Sequence, residues 1–172
     1  MNKRKKSGST KKIISVLLVL LILVILLYNP ISIRVMTVGV AIWHGLDPVI
    51  FYRLIRAESS FRSFAVSDAE AIGLGQIRES TAHYIHKEHK RGLLFVPLYN
   101  LHLAAKYLKY LLKRYDGNWS LALAAYNWGE TNVSSRMKRT AIDPKKDYRS
   151  RFKDIPETYH YIGKILKSKN KA

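Results

Sequence analysis

A mostly α-helical domain behind one N-terminal membrane-spanning helix is the fold class this 172-residue sequence predicts. Three observations predict it. Residues 13–28 (IISVLLVLLILVILLY) form an unbroken apolar run led by a basic cluster. From Asp47 onward, apolar residues recur at helical spacing, in segments opened by Asp47-Pro48, Pro97, Asp116-Gly117-Asn118 and Pro156. Strand-period alternation and internal repeats are both missing.

The apolar run follows Lys3, Arg4, Lys5, Lys6, Lys11 and Lys12, and no acid precedes Asp47. A cleaved signal would have a shorter apolar region and small residues at its end, whereas Tyr28-Asn29-Pro30-Ile31 offers no such site. Residues 13–30 therefore read as an uncleaved transmembrane signal-anchor, with membrane contact through residues 13–28. Lys11 and Lys12 can snorkel to extend a slightly short span. The basic cluster places residues 1–12 in the cytoplasm and the domain, residues 31–166, on the extracytoplasmic side of the cytoplasmic membrane. Residues 167–172 form a basic tail expected to fray.

The formal charge is +18, and of 30 Lys and Arg only seven precede Asp47, so the exported part is itself basic. Its expected partners are anionic lipid headgroups or an anionic wall polymer. Nucleic acid is not expected, because no zinc-finger spacing, RNA-binding aromatic motif or helix-turn-helix signature accompanies the charge. The chain has no cysteine, which excludes disulfides and thiol catalysis.

The elements follow in order. Pro30 interrupts helix, and residues 31–46 read as a further apolar helix ending near Gly45, leaving almost no linker before Asp47. Asp47 caps the next helix, with Pro48 at its first position. A long helix from Pro97 to Tyr115 carries Leu98, Leu101, Ala105, Leu108 and Leu112 as its buried stripe and Lys106, Lys109 and Lys113 outside. Trp119 to Trp128, rich in Ala and Leu and stopped by Gly129, reads as a central helix buried on most sides. A last helix begins at Pro156 and continues through Tyr161 and Ile165.

Within the Asp47 helix, Phe51, Leu54 and Ile55 share one face, and the next position on that face is Glu58. Two readings fit. Either the helix ends there, with the acid at a solvated edge and Ser59-Ser60 opening a loop, or the carboxyl group is held against apolar walls. In the second case the poorly solvated anion raises the pKa and makes the group an acid near neutral pH.

The strings Gly73-Leu74-Gly75-Gln76, Ala125-Tyr126-Asn127-Trp128-Gly129 and Pro156-Glu157-Thr158 are individually weak. They join Gly45-Leu46-Asp47-Pro48, Glu58-Ser59, Phe61, Thr81-Ala82, Pro97, Asn100-Leu101, the Leu121–Ala124 run and Tyr161 in one order and spacing. Over residues 38–166 this pattern resembles the lytic transglycosylases of the soluble Slt type, whose domain has a lysozyme-like α fold. The resemblance implies that residues 31–166 are a catalytic domain acting on peptidoglycan glycan strands, with Glu58 as the single catalytic acid. Ser59 would shape the sugar site, Gln76 would bind sugar, Tyr126 and Asn127 would hydrogen-bond the acid and the substrate, and Tyr161 is the tyrosine of the closing motif.

Two positions depart from the pattern: Gly75 replaces the usual methionine and Glu79 the usual proline of the following helix start. Glycine at 75 suggests a wider groove floor and an altered subsite preference. No metal or cofactor is expected, since His83, His86 and His89 lack an HExxH pattern and read as a polar helix face. GxSxG is missing, GxGxxG is incomplete, and Asp68, Glu70 and Glu79 read as surface.

Glycoside cleavage ordinarily uses two carboxylates, and the resemblance supplies one. It implies that the N-acetyl group of muramic acid stabilises the reacting centre while Glu58 serves as acid and then as base toward the sugar's 6-hydroxyl. The product would be a 1,6-anhydro sugar. The rival readings are a muramidase on the same fold, and a non-catalytic peptidoglycan-binding scaffold that would have no need of a buried acid.

Overall fold

The computed structural model describes residues 4–167, with side chains from Thr10 onward; residues 1–3 of the basic N-terminus and 168–172 of the tail lie outside the described residues. Eight α-helices form among them: α1 (Arg4–Tyr28), α2 (Pro30–Trp43), α3 (Pro48–Ser59), α4 (Glu79–Ile85), α5 (Pro97–Arg114), α6 (Trp119–Trp128), α7 (Glu130–Arg136) and α8 (Pro156–Leu166). Short 3-10 turns occupy Arg91–Phe95 and Arg149–Phe152. Strand pairing among these residues is limited to two isolated bridges, Val66 to Ile72 and Ile72 to Ile77.

In α1, residues 10–28 have a mean hydropathy of 2.7 and none of the stretch is buried. At a rise of ~1.5 Å per residue its 19 residues extend ~28 Å, about the thickness of a bilayer's hydrocarbon core. The helix is interrupted at Asn29-Pro30 as expected, and Pro30 opens α2. Asn29 caps that helix by accepting a hydrogen bond from the Ile31 N–H at 2.8 Å, and proline at the first position gives up no needed donor. The helix stops at Trp43, short of the expected end, and Gly45 at φ +65° turns the chain toward Asp47.

Asp47 caps α3 as its sequence requires, its Oδ1 accepting from Val49 N at 2.8 Å and Ile50 N at 2.9 Å. Such a cap contributes about 1 kcal/mol. Phe51, Leu54 and Ile55 are fully buried, each contributing roughly 1.5–3 kcal/mol. They seat α3 against α2 and α8.

The buried stripe of α5 is broader than expected and differently centred. Asn100, Leu101, Leu103, Ala104, Ala105, Leu108 and Leu111 are buried, whereas Leu98 is exposed and Leu112 half-buried. The helix packs against α2, α4 and α6, so more than one face is covered. α6 is the central helix: Ser120 through Ala125 are all buried, and α5, α7 and α8 surround it. Asn118 caps it, accepting from Leu121 N at 3.0 Å. Helix α7 has no forecast in the sequence; Gly129 at φ +99° does end α6 but sends the chain directly into another helix.

Asn100 ties α5 to the loop that precedes α4. Its Nδ2 donates to the Ile72 and Leu94 carbonyls, both at 2.9 Å, and its Oδ1 accepts from Gly75 N at 2.8 Å. Ile72 and Ile77 exchange both backbone hydrogen bonds, closing residues 72–77 into a tight turn. This buried amide fixes one wall of the groove described below.

Candidate active site

An open groove of about 1030 Å³ is walled by the end of α3, the segment 67–81, α5, the end of α6 and α8. Glu58, in the last turn of α3, faces into it together with Gln76, Tyr126, Asn127 and Tyr161. Ser59 does not. Its side chain is buried and its hydroxyl donates to the Ile55 carbonyl at 3.3 Å, so it finishes the helix instead of lining the groove.

The acid on α3 is held from α8. Tyr161 Oη donates a hydrogen bond to Glu58 Oε1. Burial pushes the Glu58 carboxyl from 4.5 up to about 7, against the pull of the Tyr161 hydrogen bond and with a further push from the Glu157 charge. The helix-edge reading, with a solvated and ordinary acid, does not describe this environment. The Tyr126 and Tyr161 hydroxyls are driven well above the usual phenol range, first by burial and next by Glu58. Both therefore remain protonated donors wherever Glu58 titrates.

Tyr126 does not bond the acid. Its Oη donates to the Gly75 carbonyl at 2.7 Å, clamping the turn that carries Gln76. Gln76 sits at φ +48°, with its Nε2 donating to the Gly73 carbonyl at 3.0 Å and to Ala65 O at 3.3 Å. Asn127 is oriented by α8: its Oδ1 accepts from Thr158 Oγ1 at 2.7 Å, and its Nδ2 donates to Glu157 Oε1 at 3.2 Å.

Gly75 leaves no widened floor: a Cβ at that position would lie 2.5 Å from Ala104 Cβ and 3.1 Å from Tyr126 Oη, so the space is already filled. Glu58 is also not the only carboxyl in the groove, which Asp68 and Glu157 line as well. Glu157 belongs to the Pro156-Glu157-Thr158 string but had no groove role assigned to it, and Asp68 read as surface; α8, packed against α3, brings Glu157 to the groove. Lastly, the three histidines do not form one polar helix face. α4 ends at Ile85, and His86 and His89 lie beyond it, meeting at Tyr99 Oη at 3.2 and 3.0 Å. Tyr107, Arg78 and His160 are further groove residues that sequence reasoning passed over, since each looks like an ordinary solvated or packed helix position.

Tyr161→Phe is expected to raise the Glu58 pKa further, because the lost hydrogen bond favours the charged carboxylate. A pH–rate profile would show its alkaline limb moved to higher pH. A purely structural role for Tyr161 would lower activity at every pH and leave the limb in place.

A model of the transglycosylase SLT domain matches residues 42–149, more than half of the chain and including Glu58, Gln76, Tyr126 and Asn127. The chain belongs to the transglycosylase SLT family. Solved structures extend the likeness. An inactive glutamate-to-glutamine mutant of the lytic transglycosylase Slt from Pseudomonas aeruginosa matches with a TM-score of 0.70 at 28% identity over 83% of this chain. The 70 kDa soluble lytic transglycosylase from Escherichia coli matches at 0.61 and 26% identity over 70%. A complex of the 70 kDa soluble lytic transglycosylase with bulgecin A matches at 0.67 over 80%; at 24% identity it bears on the fold alone. The SLT chain described here spans 24%, 21% and 23% of those three proteins. The shared part is thus an SLT-type α-helical domain, which here directly follows an apolar helix.

Proposed function

We propose that this SLT-family protein is a membrane-anchored peptidoglycan lytic transglycosylase that cleaves the β-1,4 bond between N-acetylmuramic acid and N-acetylglucosamine. One observation carries the reading: the Glu58 carboxyl is held by Tyr161 on the wall of an open groove, where burial pushes its pKa up to about 7. Such a group is substantially protonated at neutral pH yet readily ionised, as acid and base steps in sequence require.

Protonated Glu58 donates to the glycosidic oxygen as the C1–O4 bond breaks, and the substrate's N-acetyl oxygen supports the electron-poor C1. Ionised Glu58 then takes the proton of the muramic acid 6-hydroxyl, whose oxygen closes on C1. The acid is restored and no water is consumed. Tyr161 steadies the carboxylate between the two steps, while Gln76 and Asn127 lie where the sugars would be gripped. The apolar helix of residues 10–28, with no cleavage-like end, would hold the domain on the outer side of the cytoplasmic membrane.

A hydrolytic reading has its own observation, since Asp68 and Glu157 share the groove and either could activate water. Product analysis separates the two. Digestion of purified peptidoglycan is expected to give muropeptides lighter by one water than muramidase products and inert to borohydride. Reducible ends, or label from heavy-oxygen water at the anomeric carbon, would make the enzyme a hydrolase. Asp68→Asn and Glu157→Gln would then identify which carboxylate serves.

A further inference from the structure

The apolar character of this chain does not stop at the end of α1. Helix α2 follows after the single residue Asn29 and is apolar on two sides. One side, with Ile33, Thr37, Val40 and Ala41, is buried in the domain. The other presents Ile31, Val35, Val38 and Ile42 at helical spacing, all exposed, and ends in Trp43, which is 81% exposed. No acid lies on this helix, and its one charged residue, Arg34, stacks over Phe61.

Beside that face runs a second groove, of about 740 Å³, between α2, α3 and α8. Val38, Val49 and Tyr52 line it together with four cations, Arg53, Arg56, Lys164 and Lys167. No carboxylate lines it, and none forms an ion pair with these four among the described residues. An apolar strip flanked by unneutralised cations is the composition of an interfacial helix on an anionic membrane, with aromatic residues at the boundary. At ~1.5 Å per residue, the whole of α2 stays within ~21 Å of its start, next to the end of the span. Tyr28, the last residue of α1, stacks on the exposed ring of Phe64 and donates to Phe95 O at 3.3 Å, so the domain is docked at that end of the span.

We infer that the outer face of α2 and the basic groove beside it form a second membrane contact, with α2 seated at the bilayer surface and the four cations receiving anionic phospholipid headgroups. The inference rests on the anchor reading of α1 and goes beyond it: the domain lies against the bilayer and does not swing on a tether. Lys164 lines both grooves. Docking would consequently set the glycan groove at a fixed height beside the membrane.

The absence of native cysteine provides the test. Single-cysteine variants of the full chain, Val35→Cys, Ile42→Cys, Leu20→Cys in the span and Lys113→Cys on the exposed face of α5, are reconstituted into vesicles containing phosphatidylglycerol and labelled with a water-soluble maleimide. Loss of labelling at 35 and 42, as at 20, with 113 still reactive, is the expected result. In the Val35→Cys chain, Arg56→Glu with Lys167→Glu, or vesicles of phosphatidylcholine alone, should restore labelling. Protection at 20 with free labelling at 35 and 42 would overturn the docking and spare the anchor, whereas labelling at all four sites would overturn both. Protection at 35 and 42 that is insensitive to lipid charge, or that accompanies cross-linking between copies of the chain, would assign the face to a protein partner and also overturn the inference.

Discussion

Glu58→Gln should abolish glycan cleavage while leaving the fold and glycan binding intact. The amide is nearly isosteric and still accepts from Tyr161, but it has no proton to give the leaving oxygen. Loss of a positioned general acid costs about 10²–10⁴-fold, and more is expected here because the same group would also serve as base. A second measurement shows that the acid was the reason. Folding raises the Glu58 pKa from 4.5 to about 7, so as pH rises the unfolded chain releases this proton first. The stability linked to the protonated carboxyl is fully present below about pH 4.5 and is lost as pH rises through about 7. Glutamine does not titrate, and above pH 7 the variant should therefore be more stable than its parent, by at most ~3 kcal/mol. Thermal melts at acid and alkaline pH read this directly. A variant that retains substantial turnover would remove Glu58 from the chemistry. One inactive but no more stable at high pH would show that the group does not carry the burial cost.

Gly75→Met, which restores the usual family residue, should damage this protein. The first added carbon already stands 2.5 Å from Ala104 Cβ and 3.1 Å from the Tyr126 hydroxyl. Relief requires moving α5 or breaking the Tyr126 bond to Gly75 O, and overpacking of this kind costs ~1–3 kcal/mol or more. Because that turn carries Gln76, binding should weaken along with stability. Ala104→Gly removes the nearer clash, and the double variant should recover part of the loss despite glycine's own cost of ~1 kcal/mol in a helix. A melting temperature unchanged by Gly75→Met alone would mean that the floor does have room, as the sequence suggests.

Much of the architecture was legible in the sequence because its causes are local. Asp47-Pro48, Asn118 and Pro156 begin helices by capping chemistry or fixed φ, and each does so in the structure. The Ala- and Leu-rich run of α6 has too little polar surface to lie anywhere but the centre. The stripe of α5 was harder to place, since a helix contacted on several sides buries residues that a one-faced pattern assigns to solvent. Helix α7 is short and polar, and nothing in its sequence outweighs the stop signal of Gly129.

An apolar N-terminal helix, a basic helical domain of the SLT family and an acid on the inward face of α3 are all written in the linear chain. These follow from composition, period and motif order, which a linear chain displays. Packing is what makes Tyr161 and not Tyr126 bond Glu58, turns Ser59 away from the groove, and brings Asp68 and Glu157 into it. It also decided that Gly75 is a point of contact and not of space. One cause underlies all of these. Hydrogen-bond partners, desolvation and free volume depend on residues such as Glu58 and Tyr161, 103 positions apart, coming within reach of one another. No local pattern encodes that distance; the packing of α8 across α3 and α6 does.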